Sequence, residues 1–462
     1  MVQHMFQIDF NKPIKVFFCG IGGISMSGLA EILHSRGFSI SGSDMKASEL
    51  TASLEAKGMT VYIGQRKSNI TPDIDLFVYT AAIHPDNPEW IEKTRLNIPS
   101  LSRAELLGEI MKNFGLPIAI SGTHGKTTTT SMISEILVGC DLDPTLSVGG
   151  VLKSIGGNVR IGHSEYFVTE ACEYTNSFLS FFPRIALILN IEEDHMDFFK
   201  DIDDIRSSFT KFASLLPMDG HLVINGEIDD LDKITEALAC NIHTFGFDES
   251  FDFYATDITY DKFSHATYRL HYPDGTAEVK LAVPGRHNVA NSMAALCCCS
   301  LIGIPMDRAI RLVAEFTGTD RRFEYKGTIG DVTIIDDYAH HPTEIASTLN
   351  SALKYEHNRL WVIFQPHTYT RTKAFLKDFA KALSLADVVI LADIYAAREK
   401  NTIGISSLDL LEELKTLGSE CYYFPTFDEI ENFCLEKCIP GDLLITMGAG
   451  DIVKVGDSLL GL

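Results

Sequence analysis

Short apolar runs alternate along the chain with longer stretches in which apolar residues recur every three or four positions. "KVFFCG" from Lys15 reads as a buried strand, "SMSGLAEILHSRG" has helical spacing that stops at Gly37, and "FSISGSD" up to Asp44 reads as the next strand. The succession predicts βαβ organisation to about Phe114. A second segment starts at "LPIAISGTHGKTTTT" and runs to about Phe316, with apolar runs in "YFVTE" and "IALILNI", a β-rich stretch over 251–283 and a helix after "PGRHNVANS". The third starts near "TGTDRRFEYKG" and alternates again through "VTIIDDYAHHP", "LWVIFQPHTYTRT", "VVILADIYAARE" and "LLITMGAGD". Each of these four is an apolar strand followed by polar or glycine-rich residues, where open α/β sheets collect ligands. The pattern predicts an α/β protein of three domains, 1–114, 115–316 and 317–462.

Composition agrees with that size. A chain of 462 residues with 45% hydrophobic and 22% charged residues has enough apolar surface for several cores, at about 150 residues per domain. The formal charge of −23 argues against a general nucleic-acid binder. It leaves room for a small anionic ligand held by a local cluster of N–H groups, lysine and metal. Ten cysteines without a CxxC pair, three of them adjacent at Cys297, Cys298 and Cys299, point away from zinc and disulfides. Cys434 and Cys438 lie one helical turn apart and read as packing residues. The amino terminus lacks a signal-peptide core, and no run reaches the ~20 apolar residues of a membrane span. The expectation is a cytoplasmic protein with no membrane insertion.

The chemistry concentrates at "ISGTHGKTTTT". A phosphate-binding loop needs glycines where the backbone bends, a lysine for the outer phosphates and a hydroxyl for magnesium. Gly122, Gly125, Lys126 and Thr127 supply them between a strand and a helix. The spacing is a shortened P-loop, since the strict pattern puts its first glycine at Ile120. A plain glycine-rich turn with an exposed lysine is the competing reading, and the coincidence of glycine, lysine and hydroxyl disfavours it. Magnesium wants hard oxygen ligands near strand ends. Glu170 follows "YFVT", and Glu192, Glu193, Asp194, His195 and Asp197 crowd the end of "ILNIEEDHMDFF". An acidic loop alone is usually a solvated face; after a P-loop it reads as a metal-binding region.

"CGIGGISMSG" forms a second glycine corner. Gly20 and Gly22 fit a dinucleotide fingerprint but Ser25 stands at the third glycine position, which disfavours NAD. A diphosphate resting on the N–H groups of Gly22 to Ser25 remains compatible. Asp44 is placed to meet a ribose or base, or to cap a turn. One diphosphate corner and one triphosphate loop imply two nucleotide-containing ligands.

With "GIGGISMSGLAEIL", "GSD", "TAAIHPDNPE", "SGTHGKTTTTSM", "EACEYTNSFL", "NIEEDHMDFF", "PGRHNVANSMAA", "DRRFEYKG", "DDYAHHPTEI", "QPHTYTRT" and "MGAGD" in this order, the chain resembles the Mur ligases of bacterial cell-wall synthesis over nearly its whole length. The GTxGKT loop alone marks only a wider superfamily that includes folylpolyglutamate synthase. "GIGGxxMSG" with "EACEYTNSFL" and "DDYAHHPTEI" is the discriminating set, and it points to the alanine-adding branch. A ligase that recycles a ready-made tripeptide shares "GTHGKTTTT" and "HHPT". A silent nucleotide sensor and a dehydrogenase are more distant rivals.

The resemblance implies a Rossmann-like nucleotide-sugar domain, a central P-loop ATPase-type domain and a Rossmann-like carboxyl-terminal domain that closes over them. It implies that ATP phosphorylates the lactoyl carboxylate of UDP-N-acetylmuramate and that the amine of L-alanine attacks the acyl phosphate, in peptidoglycan synthesis. By resemblance Gly22, Gly23, Ile24, Ser25, Met26, Ser27, Asp44, Thr80, Ala81 and Ala82 face the nucleotide sugar. Gly122, Thr123, His124, Gly125, Lys126, Thr127 and Thr128 hold the ATP phosphates. Two magnesium ions are implied, one on Thr127 and Glu170, the other on His195. His287, Asn288 and Asn291 address adenine, although helix capping by Asn288 is also compatible. Arg322 reaches the phosphates on closure, while Arg321 reads as a surface neighbour. Asp337, His340 and His341 line the nucleotide and amino-acid side, with Pro342 as a first-turn helix residue that leaves either histidine able simply to flank a cap. Arg371 and Arg398 are the candidates for substrate carboxylates. Lys126, Glu170, His195 and Arg322 form the catalytic set. Cys172 and Tyr174 depart from the acidic residue and serine frequent in relatives, and no carbamylated lysine is identifiable. The implied partners are small molecules, and the chain a monomer or homodimer.

Overall fold

Val16 to Cys19 are buried throughout their strand, which requires helices on both faces of a parallel sheet. A computed structural model describing residues 6–196, 198–397 and 399–462 places this strand, Lys15–Cys19, at the centre of a five-stranded sheet in the order Thr60–Ile63, Ser39–Asp44, Lys15–Cys19, Leu76–Tyr79, Ser100–Ser102. All neighbours run parallel. The order reverses at the central strand, so the glycine corner at its carboxyl end opens onto the switch-point crevice.

The second sheet has ten strands, and its site comes from three of them. Leu116–Ser121 lies between Ile185–Ile188 and Tyr166–Glu170, all parallel. The loops after Ser121, Glu170 and Ile188 therefore emerge side by side, which is how "GTHGK", "EACEY" and "NIEEDH" meet despite wide sequence separation. The predicted β-rich stretch is an antiparallel meander of Phe253–Tyr260, His265–Tyr272 and Gly275–Pro284. Helix Arg286–Leu301 follows, and it buries Cys297, Cys298 and Cys299 completely.

The third sheet runs Glu324–Ile329, Val332–Asp337, Leu443–Met447, Leu360–Phe364, Val388–Leu391, Glu420–Tyr423, antiparallel only at the first pair. The two edge strands lie outside the four runs legible in the sequence because they are half exposed and lack an apolar block.

Packing divides the molecule unevenly. One apolar cluster runs from Phe18, Leu33 and Leu106 of the first sheet into Phe167, Phe209 and Phe212 beside the second, and Phe114 stacks on Phe167 at 4.9 Å. Gly108 sits where helix Arg103–Met111 meets the second unit so closely that a Cβ would lie 1.9 Å from the Ser180 carbonyl. The third sheet has separate clusters on its two faces, one around Phe364 and Phe379, the other around Trp361 and Ile390. Its junction with the second unit at the site is made by polar and charged side chains, the kind of interface that permits domain motion. Among the described residues no helix is long and apolar enough to cross a membrane.

Candidate active site

The shortened P-loop is built by backbone that only glycine adopts readily. Gly122 has φ +139° and a Cβ there would lie 2.9 Å from Leu189 Cβ; Gly125 caps helix Lys126–Gly139 at φ +82°. Asn190 pins the loop by accepting from His124 N at 2.7 Å and donating to His124 O at 3.1 Å. Lys126 Nζ donates to the carbonyls of Gly122 and Thr123 and pairs with Glu173 Oε2 at 2.9 Å. Burial alone would depress this ammonium, but Glu173 foremost holds it above the ordinary lysine value. Glu170 Oε1 accepts from Gly149 N at 2.6 Å. Thr127 lies on the same side, its Cγ2 3.1 Å from where a Cβ on Gly150 would sit.

A cavity of about 190 Å³ opens between the P-loop and the third unit, lined by His124, Gly125, Thr128, Asn190, Asn225, His287, Asn288, Asn291, Arg322, Asp337 and Ser347 among others. His124 Nδ1 lies 3.2 Å from Glu344 Oε1 and Nε2 3.6 Å from Glu192 Oε2. Burial would lower its pKa, yet the two carboxylates raise it to about 9. His287 Nδ1 meets Ser347 Oγ at 2.7 Å; burial and then Arg322 lower its pKa to about 4. Asn288 donates to Pro284 O at 2.8 Å and its own Oδ1 accepts from Asn291 at 3.0 Å. The cap position of this helix is Gly285, so capping is not the work of Asn288. Asp337 accepts from Ala339 N and Phe323 N, and burial raises its carboxyl to about 6.

A second cavity of about 570 Å³ is lined by Tyr174, Asp194, His195, His367, Thr370, Arg371 and Glu399, among others. Arg371 Nη2 donates to Asp194 Oδ1 at 3.1 Å, joining third and second units. His195 stacks on Tyr174 at 4.4 Å, and its Nε2 lies 3.8 Å from both Glu173 Oε1 and Asp194 Oδ2. Burial is the main cause that lowers the His195 pKa, which favours the neutral ring. Lys126, Glu173, His195, Asp194 and Arg371 thus form a continuous line of polar side chains, four of them charged, from the P-loop to the second cavity.

At the glycine corner, Asp44 Oδ2 accepts from Gly22 N at 3.0 Å. Asp44 thereby braces the corner, the turn-capping alternative read from the sequence. Thr80 packs on Gly20, where a Cβ would lie 3.4 Å from Thr80 Cγ2.

Residues 15–115 match the Mur ligase family catalytic domain, residues 120–299 the Mur ligase middle domain and residues 321–450 the Mur ligase glutamate ligase domain. The chain belongs to the Mur ligase family. It is 58% identical over 457 residues to a UDP-N-acetylmuramate–L-alanine ligase of Agathobacter rectalis, covering 99% of this chain and 100% of that protein. It is 57% identical over 458 residues to the one of Lachnospira eligens, covering 99% and 100%. The solved structure of UDP-N-acetylmuramate-alanine ligase from Thermotoga maritima superposes with a TM-score of 0.80 at 29% identity, covering 97% of this chain and 98% of that one. A murein peptide ligase from Psychrobacter arcticus superposes at 0.71 with 25% identity and the same coverage.

Within this Mur ligase the structure brings His124, Gly125, Thr128, His287, Asn288, Asn291, Arg322 and Asp337 to one cavity and His195 with Arg371 to the other. His341 is the cap of helix Pro342–Ala352, its Nδ1 accepting from Thr343 N at 3.4 Å, while its ring lies 5.1 Å from that of His124. His340 is held by Tyr338 O at 3.0 Å, and burial lowers its pKa to about 4. Arg321 is not a surface neighbour: it bonds Asp336 at 2.9 Å and the carbonyls of Gly450 and Gly448, tying down the loop beside Arg322. Arg398 and Asp197 lie outside the described residues. Sequence reasoning missed Glu173, Asn190 and Glu344. Glu173 stood in the quoted "EACEY", three residues from Glu170. Glu344 stood one helical turn after His340 in "HHPTE".

Proposed function

We propose that this Mur ligase joins L-alanine to the lactoyl carboxylate of UDP-N-acetylmuramate at the expense of ATP. The observation that carries this reading is full-length identity of 58% to a relative of that name, with the Lys126 to Arg371 chain supplying a physical route between the two cavities. In this reading residues 1–114 deliver the nucleotide sugar, 115–316 bind ATP, and 317–462 bring in the amino acid.

A carboxylate repels nucleophiles and has no leaving group, so activation comes first. A carboxylate oxygen attacks the γ-phosphorus, ADP departs, and the amine then attacks the acyl carbon, expelling phosphate. Charge builds on the transferring phosphoryl group, and Lys126 with the backbone N–H groups of the P-loop stabilises it. Arg322, half exposed beside the nucleotide cavity, adds a second cation.

Magnesium fits the donors present. Thr127 and Glu170 offer hard oxygens. Glu170 is oriented by Gly149 N–H, and Gly149 has no Cβ, which would otherwise lie 2.5 Å from Glu170 Oε2. His195 offers a neutral ring nitrogen. When bound, magnesium neutralises charge on the phosphates being separated. Glu173 keeps Lys126 charged and faces His195. Arg371, now paired with Asp194, offers the guanidinium for an incoming carboxylate.

Purified protein incubated with ATP, magnesium, UDP-N-acetylmuramate and alanine, serine, glycine or a murein tripeptide in turn tests the reading, with phosphate release and product mass as readouts. Amide product with alanine is expected. Phosphate release without amide, or product with the tripeptide alone, contradicts it.

A further inference from the structure

Three donors meet where the P-loop faces the third unit. One ligand atom from each of His124, Glu192 and His341 lies within 4.8 Å of the other two, and among the described residues this is the one such group. The three arrive from separate places: His124 from the P-loop, Glu192 from the loop after Ile185–Ile188, and His341 from the cap of helix Pro342–Ala352 in the third unit. Two histidines and one carboxylate are the donor set of zinc sites that keep a fourth position open. Magnesium prefers oxygen ligands throughout. None of the three belongs to the magnesium set of Thr127, Glu170 and His195.

A pair of stranded nitrogens points the same way. Nε2 of His124 and Nε2 of His341 are buried without a hydrogen-bond partner, His341 is only 4% exposed, and the two rings lie 5.1 Å apart. A buried polar atom with nothing to bond is costly, and a shared ion relieves both. His124 is already set for one. Glu344 Oε1, 3.2 Å from its Nδ1, accepts the Nδ1 hydrogen and leaves Nε2 facing Glu192 Oε2 at 3.6 Å. A carboxylate behind the ligating ring is how metal sites fix a histidine's tautomer. His341 gives up little: the bond its Nδ1 accepts from Thr343 N is long, at 3.4 Å, and moving the ring hydrogen to Nδ1 frees Nε2. Asn190 pins the His124 backbone from both sides, and Glu192 N donates to Thr123 Oγ1 at 2.9 Å, so two of the ligands are held in place before an ion arrives. The Glu192 side chain is 37% exposed and gives the ion a way in from solvent.

We infer that His124, Glu192 and His341 form a site for a divalent transition metal of the zinc class, separate from the magnesium positions, and that the bound ion clamps the third unit onto the P-loop. The inference stands whatever substrates the chain joins. On binding, His124 keeps Nδ1–H on Glu344 and gives any Nε2 hydrogen to solvent, His341 carries its hydrogen on Nδ1, and Glu192 supplies the negative charge. His124 and Glu192 also line the nucleotide cavity beside Gly125. The ion therefore sits in the wall of that cavity and ties its two sides together, so it slows the opening through which nucleotide exchanges.

The test titrates the full, nucleotide-free chain with Co²⁺, whose visible absorption reports the ligand set, and then adds Zn²⁺ in competition. A single tight equivalent is expected, displaced by Zn²⁺ and not by excess Mg²⁺. His124→Gln and His341→Ala should each weaken it by at least about 100-fold, and Glu344→Gln, which acts through the His124 ring, by about 10- to 100-fold. His195→Gln, and His243→Ala in the His221–His243 pair at 3.0 Å, should leave it within about twofold. Glu192→Gln supplies the same comparison where a histidine variant fails to fold. Small-angle scattering should show a narrower spread of third-unit positions with Zn²⁺ than without, an effect lost in His341→Ala. Absence of a tight equivalent overturns the site, as does a sulfur-to-cobalt absorption band, displacement by Mg²⁺, or affinity that falls with His195 or His243 and not with His124 and His341. Tight binding that leaves the scattering unchanged overturns the clamp.

Discussion

Replacing Glu344 by glutamine removes the carboxylate through which the third unit holds the P-loop histidine. His124 Nδ1 lies 3.2 Å from Glu344 and Nε2 3.6 Å from Glu192, with side-chain exposures of only 13% for His124 and 14% for Glu344. The imidazole also faces the neutral His341 ring, and Glu344 additionally meets His340 N at 3.1 Å and Arg322 at 3.9 Å. Raising an imidazole from 6.5 to about 9 corresponds to about 3.5 kcal/mol at about 1.4 kcal/mol per pH unit. The nearer carboxylate carries roughly half of it, so Glu344→Gln weakens docking by about 1.7 kcal/mol, on the order of 20-fold. The sign follows from the direction of each shift. The His124 contribution is complete below pH 6.5 and is lost as pH rises through about 9. Glu344, held well below 4.5 chiefly by His340 and His124 against the effect of burial, contributes fully above pH 4.5. Docking is therefore strongest between about 4.5 and 6.5. An NMR titration of the His124 ring reads this directly, with small-angle scattering across the same range reporting whether the third unit swings away. A wild-type imidazole titrating near 6.5, or one still near 9 in Glu344→Gln, refutes the reasoning.

Lys126→Ala is expected to abolish phosphate release, spare nucleotide-sugar binding and cost about 3 kcal/mol of stability, because it strands the buried Glu173. Adding Glu173→Gln should restore the stability and not the turnover; a single variant that melts like wild type contradicts the pairing. Gly125→Ala puts a Cβ at φ +82° and 2.6 Å from Asn291 Oδ1, and ATP affinity should fall at least about tenfold. Gly330→Ala, at φ +55° in open space, should leave ATP binding untouched, and equal effects of the two would refute the steric argument. Arg371→Ala should raise the alanine KM about tenfold, the range of a charge-assisted hydrogen bond, with the ATP KM unchanged; the reverse pattern in steady-state kinetics would place Arg371 elsewhere.

The sequence disclosed whatever has a local pattern. Gly122, Gly125 and Lys126 lie within five residues between a buried strand and a helix, so the tight loop they build was legible without tertiary information. The strands from Val332, Leu360, Val388 and Leu443 were legible because both faces are buried. Edge strands such as Glu420–Tyr423 were not, since half exposure leaves no apolar block. Glu173 and Glu344 escaped because their meaning depends on strand order. Only when Tyr166–Glu170 lies beside Leu116–Ser121 does Glu173 reach Lys126, and only docking of the third unit brings Glu344 to His124. Arg321 was misjudged for the same reason: one of two adjacent arginines reads alike in sequence whether it faces solvent or the backbone of a packed loop.

Transfer of an oxygen atom tests the central claim most directly. With both lactoyl carboxylate oxygens of UDP-N-acetylmuramate labelled with ¹⁸O, mass spectrometry of a complete reaction should find one labelled oxygen in each phosphate released and the other in the amide product. Phosphate free of label, with amide formed, would contradict phosphorylation of the carboxylate at the Lys126 cradle.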